Sequence, residues 1–140
     1  MEKTLNERVS MLLYPESFSI CKIAEGDLVE NVDASFYIIM RHPREITLVC
    51  PIDRAPPNAT TEGPWRCLEL EGPLSFDLVG ILNGVLRPLT ESGIGVLAYS
   101  SFDTDFIFVK SESLDDASRA VRAAGHTIRI VGTVEERVTE

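Results

Sequence analysis

Basic residues are scarce in this chain. Its 13 Lys and Arg stand against 22 Asp and Glu, a formal net charge of −9 over 140 residues. Such a balance repels a polyanion at long range, so DNA and RNA are not expected as partners. The densest basic stretch, Arg41 to Arg44 (RHPR), holds two firm charges around the turn former Pro43 and reads as a solvated hairpin tip. Cys21, Cys50 and Cys67 are odd in number and lack C-x-x-C spacing, so neither a disulfide framework nor a tetrahedral zinc site is expected. They lie in apolar, strand-like segments, where a cysteine serves as a small buried hydrophobe. No apolar run reaches the ~18 residues of a membrane span, and MEKTLNERV has no signal-peptide core; a soluble, cytoplasmic protein is expected, with no membrane partner. P-loop and G-x-G-x-x-G motifs are missing, and His42 and His126 have no Cys or Ser partner close in sequence. The expectation is therefore no enzyme, no metal and no cofactor.

What remains is a globular composition, 44% apolar and 25% charged. Its clearest patterns lie in the second half. Trp65–Leu70 alternates as a strand and is stopped by Gly72 and Pro73. A helix follows, with Ser75 as N-cap and Asp77 in its first turn, and with Leu78, Leu82, Val85, Leu86 and Leu89 as one apolar stripe. Pro88 removes the helical bond to the Gly84 carbonyl, and Gly93 is a stop signal. Gly80 and Gly84, four apart, suggest close helix-to-sheet packing.

Ile94–Ser101 and Asp105–Lys110 read as a hairpin. Ser113 then caps a second helix, with Asp115 and Asp116 in its first turn, Leu114, Ala117, Val121 and Ala124 as its stripe, and Gly125 as its stop. His126–Val131 alternates as a last strand. The order strand, helix, strand, strand, helix, strand predicts an α+β, ferredoxin-like (βαββαβ) unit, an antiparallel sheet with both helices on one face. The first half is a weaker copy. Ser17–Ile23 reads as a strand, and Ser35–Met40 with Ile46–Cys50 as a hairpin. A short polar segment (24–33) and a Pro-rich connector (51–64) stand where helices would be, so this half is expected to extend the sheet of the second.

Two places could hold a small ion. Gly72–Ser75 leads from a strand end into a helix N-terminus, whose free N–H groups suit a carboxylate or phosphate, although every such turn shares this geometry. The turn SSFDTD (100–105) carries two acidic side chains that either bond their own backbone or hold an ammonium group.

The segments WRCLELEGPLSFDLVGIL, LRPLTESGIGVLAYSSFDTDFIFVK and LDDASRAVRAAGH, with ITLVCP and Asp53-Arg54 in the first half, resemble the ACT-domain proteins related to the CASTOR arginine sensors. Ser100–Val109 is the most specific portion, and the likeness spans most of residues 11–131. It implies two tandem ACT-like modules, a degenerate one at 11–62 and an ACT domain at 63–133. It also implies a regulatory protein that binds a free amino acid between modules, and a homodimer. Carried over by motif, the ligand-binding set is Ser75, Leu78 and Ile81 at the helix start, with Ser101, Phe102 and Asp105 in the turn. The arginine sensors carry an acidic residue where Leu78 stands, so the resemblance points to a ligand with a neutral or apolar side chain. The competing reading is an assembly module whose ligand pocket is vestigial.

Overall fold

A computed structural model describes residues 8–27, 32–72 and 80–132. Eight strands run in the order β1 (Ser10–Leu13), β2 (Phe18–Lys22), β3 (Ile38–His42), β4 (Glu45–Pro51), β5 (Thr60–Leu70), β6 (Leu97–Ser100), β7 (Asp105–Lys110) and β8 (Thr127–Ile130). The described helices are α1 (Ile81–Glu91), between β5 and β6, and α2 (Leu114–Ala123), between β7 and β8. All eight strands join one sheet, with the path β3-β4-β2-β5-β1-β8 and with β6-β7 attached to β5 through β7. The βαββαβ order of the second half is present, and its two helices lie on one face. The ferredoxin-like expectation holds.

Strand β5 organises the molecule. Its N-terminal part pairs antiparallel with β2, and its C-terminal part lies between β7 and β1. It starts five residues before Trp65, inside the stretch read as a connector, and it runs unbroken through residues 62 and 63, where the sequence suggested dividing the chain. Gly63 and Pro64 look like breakers, yet they sit at a bulge. Phe18 faces Trp65 while Ile20 faces Glu62, so β5 has one residue more than β2 there, and Pro64 owes the ladder no N–H.

Strand β1 was not expected at all. It enters between β5 and β8, antiparallel to the first and parallel to the second. Its unbroken run Met11-Leu12-Leu13 suits a strand buried on both faces, and such a run gives no period to read.

One apolar layer lies between the sheet and the helices. Met11, Leu13, Leu68, Leu70, Ile107 and Val109 meet Ile81, Val85 and Leu89 of α1 and Ala117 and Val121 of α2. Leu82, Leu86 and Leu114 flank it, as the stripes predicted, but Ala124 is the exposed C-cap of α2. At Gly84 the space where a side chain would stand is open. A Cβ there would have no neighbour within 4 Å, so the close-packing reading of the glycine pair is wrong at that end. The opposite face is not left to water. Leu12, Phe18, Cys67 and Phe108 are buried there under Phe36, whose ring meets Tyr14, Phe18 and Phe106 edge-on at 5.0–5.3 Å. A third cluster, Cys21, Ile23, Leu48 and Cys50, is closed by Val32, Ala55 and Ala59.

Candidate functional site

The β6–β7 loop is four residues long and tightly tied. Ser101 N–H donates to the Thr104 carbonyl at 2.8 Å. The Ser101 hydroxyl donates to the same carbonyl at 3.1 Å and accepts from Thr104 N–H at 3.2 Å. At the last ladder pair, Ser100 faces Asp105, and its hydroxyl donates to Asp105 Oδ1. That bond orients the carboxylate at the mouth of the hairpin. Phe102, 81% exposed, stands at the tip.

Thr104 carries the loop to its neighbour. Its side chain is buried, and its hydroxyl donates to the Leu70 carbonyl at the end of β5. That bond ties the turn holding Ser101, Phe102 and Asp105 to the C-terminal end of β5. Ser75 and Leu78 lie outside the described residues. Ile81, the third member of the helix-start set, is 7% exposed and packs into the helix-side core. Gly80 immediately before it has φ 89°, a left-handed value that glycine adopts without strain. Sequence reasoning singled out the aspartate and overlooked the threonine next to it. A Thr in a polar turn gives no sign that its hydroxyl is buried.

The rest of this sheet end is also polar and tied. Glu71 N–H donates to the Ser10 carbonyl, and Glu71 Oε2 accepts from Arg129 at 2.9 Å. On the back face, Glu69 is 5% exposed and accepts from the Tyr14 hydroxyl at 2.5 Å, which satisfies a buried carboxylate oxygen. Burial pushes the Cys67 thiol well above its ordinary range, and the nearby charges of Glu69 and Glu16 push it further. Two open clefts lie in the first half, away from Asp105: one of about 530 Å³ beside Glu16, Asp33 and Arg54, and one of about 860 Å³ beside Lys22, Arg41 and Arg44. Among the described residues no three His, Cys, Asp or Glu gather as a metal site, and no helix is long and apolar enough to cross a membrane.

The turn presents a fixed carboxylate, with the Ser100, Ser101 and Thr104 hydroxyls already engaged. Comparison with known proteins agrees with the fold. The model of a family described as the ACT domain matches residues 60–123. The crystal structure of protein Atu0741 from Agobacterium tumefaciens is 30% identical, with a TM-score of 0.82, over 90% of this chain and 96% of that one. VC0802 from Vibrio cholerae is 21% identical, with a TM-score of 0.72, over 88% and 94%. The ligand-free regulatory subunit of aspartate kinase from Thermus thermophilus is 11% identical, with a TM-score of 0.53, over 79% and 93%. The last two share the fold alone. No curated protein matches the chain in sequence.

Proposed function

Because this chain belongs to one family with the Agobacterium protein and carries an ACT domain at residues 60–123, a small-molecule-binding regulatory module, we propose that its ligand is a free amino acid. The protein performs no chemistry on that ligand and works as a homodimer in the cytoplasm. The observation that carries the reading is the bond from Thr104 to the Leu70 carbonyl, which fixes the Asp105 turn to the end of β5, the strand that precedes α1 in the chain. A helix start offers N–H groups to an α-carboxylate. Asp105, held by Ser100, offers a charge-assisted bond to an α-ammonium. In this reading Ser75 lines the carboxylate side, Ser101 shapes the turn, and Leu78 and Phe102 meet an apolar side chain.

A thermal-shift screen against the twenty amino acids identifies the ligand, and calorimetry then tests the anchor. A partly desolvated charged hydrogen bond contributes roughly 1.5–3 kcal/mol. Asp105→Asn should therefore weaken binding by about one to two decades, while Asp103→Asn, altering an exposed turn residue, leaves affinity unchanged. A flat response to every amino acid, or an Asp105→Asn protein that binds as tightly as the parent, refutes the proposal.

A further inference from the structure

Beyond the end of the β2–β4 ladder the two chain segments stay together for one more step. Phe18 faces Pro51, and Ile52 N–H donates to the Ser17 carbonyl at 3.0 Å. Next outward on each segment stand Glu16 and Asp53. Carboxylates placed opposite each other repel unless a cation lies between them, and among the described residues neither of these forms an ion pair. Both line the cleft of about 530 Å³, together with Asp33 and Arg54. Arg54 is paired elsewhere, its guanidinium 3.9 Å from Asp33. Three carboxylates and one guanidinium leave the cleft at −2. Glu16 supplies a second observation. Its Oε1 is shut off from water and has no hydrogen-bond partner, a state no other carboxylate oxygen shares among the described residues. Buried Glu69, by contrast, has its donor in Tyr14. A carboxylate oxygen without a donor is costly to bury, so this part of the cleft is short of an N–H or O–H group. The cleft of about 860 Å³ has no such deficit: Lys22, Arg41 and Arg44 are equalled in number by Glu25, Asp27 and Glu45.

We infer that the cleft at Glu16 and Asp53 is a binding site for a small primary amine, whose ammonium group bridges the two carboxylates. The site is separate from the Asp105 turn and does not depend on the amino-acid reading. An ammonium brings three N–H donors and one positive charge, so it satisfies Oε1 and cancels the repulsion with Asp53 together. A metal ion fits less well, because among the described residues no three His, Cys, Asp or Glu gather to ligate one. Room and lining suit an organic stem. Small-molecule sites span about 300–1,000 Å³, and Val32, Phe36 and Pro51 give this cleft an apolar wall. A second ammonium at the far end of the stem brings the charge of the cleft to zero, which favours an aliphatic diamine over a monoamine.

Calorimetry of the full chain in about 0.15 M salt tests the site with diaminobutane, butylamine and tetramethylammonium. Diaminobutane should bind, butylamine should bind more weakly, and tetramethylammonium, which has the charge but no N–H, should not bind. Glu16→Gln and Asp53→Asn should each weaken diaminobutane binding by roughly tenfold or more. Asp115→Asn, which alters an exposed carboxylate on α2, should leave it unchanged. Free of amine, Glu16→Gln should melt higher than the parent, because it removes one of two like charges. No heat from diaminobutane overturns the inference, as does a Glu16→Gln protein that binds it as tightly as the parent. An equal loss in Asp115→Asn also overturns it, by showing diffuse attraction to a chain of −9. Calcium chloride that binds where diaminobutane does not, and loses its binding in Glu16→Gln, overturns the amine in favour of a metal ion. Should Glu16→Gln fail to fold, Asp53→Asn carries the decision.

Discussion

Cys50 shows how burial governs a single side chain. It is fully buried beside Cys21, and the loss of hydration pushes its thiol up to about 12, with Cys21 and Asp53 adding to the effect. Burial raises Cys21 as well. At pH 8 all three cysteines should be inert to a thiol reagent in the native protein, and all three should react once guanidinium unfolds it. The linkage has a definite sign. A thiol whose folded value is raised holds its proton in the native state after the unfolded chain has lost it, so stability is complete below about pH 9 and falls above it. Urea midpoints should drop between pH 8 and pH 10.5, and drop less in Cys50→Ala. Gly63 is a second residue whose identity is dictated by space. A Cβ there would lie 3.0 Å from the Phe18 carbonyl oxygen, so Gly63→Ala should cost about 1–3 kcal/mol in a denaturant titration. Burial of the cysteines was legible from their apolar neighbours. The need for Gly63 was not, because it arises from β2, more than forty residues earlier in the chain.

Among the elements, α1 contains a defect and its remedy. Pro88 has no N–H to give the Gly84 carbonyl, and that carbonyl instead accepts from His126 Nε2 at 2.9 Å. The other ring nitrogen, Nδ1, accepts from Val9 N–H at 3.1 Å, so this buried imidazole joins α1, the approach to β1 and the end of α2. Its backbone completes the α2 terminus: Gly125 N–H bonds the Arg122 carbonyl and His126 N–H bonds the Val121 carbonyl, the paired geometry of a glycine stop. α1 ends in the same way, with Gly93 bonded to Thr90 and Ile94 to Leu89. His126→Ala should destabilise by about 1–3 kcal/mol. In a Pro88→Ala background, where residue 88 can donate to Gly84 itself, the penalty should shrink by roughly 0.5–1.5 kcal/mol in a double-mutant cycle. The proline, both stops and the lost bond could all be read from the chain, because each is a matter of local geometry. The histidine that makes good the loss could not, since its partner lies 42 residues away.

At the scale of the whole molecule, β5 makes the two halves one cooperative body. It is a common strand of both, and thermal unfolding should show a single transition rather than two, with Leu12→Ala costing about 2–5 kcal/mol because it opens a cavity in the buried β1. The second-half pattern was readable because its strands and helices each have one wet face and therefore a period. β1 was not, having no wet face. Its position has a further consequence for the order of events as the chain is made. β1 is the first described strand to leave the ribosome, yet its parallel neighbour, β8, is the last, and the Val9–His126 bond spans 117 residues. Closing so long a loop is entropically costly, and such distant pairings slow folding. β1 must therefore wait, apolar on both sides, until nearly all the described chain has been synthesised, and a nascent chain stalled before Thr127 would present that strand to chaperones as an open flank.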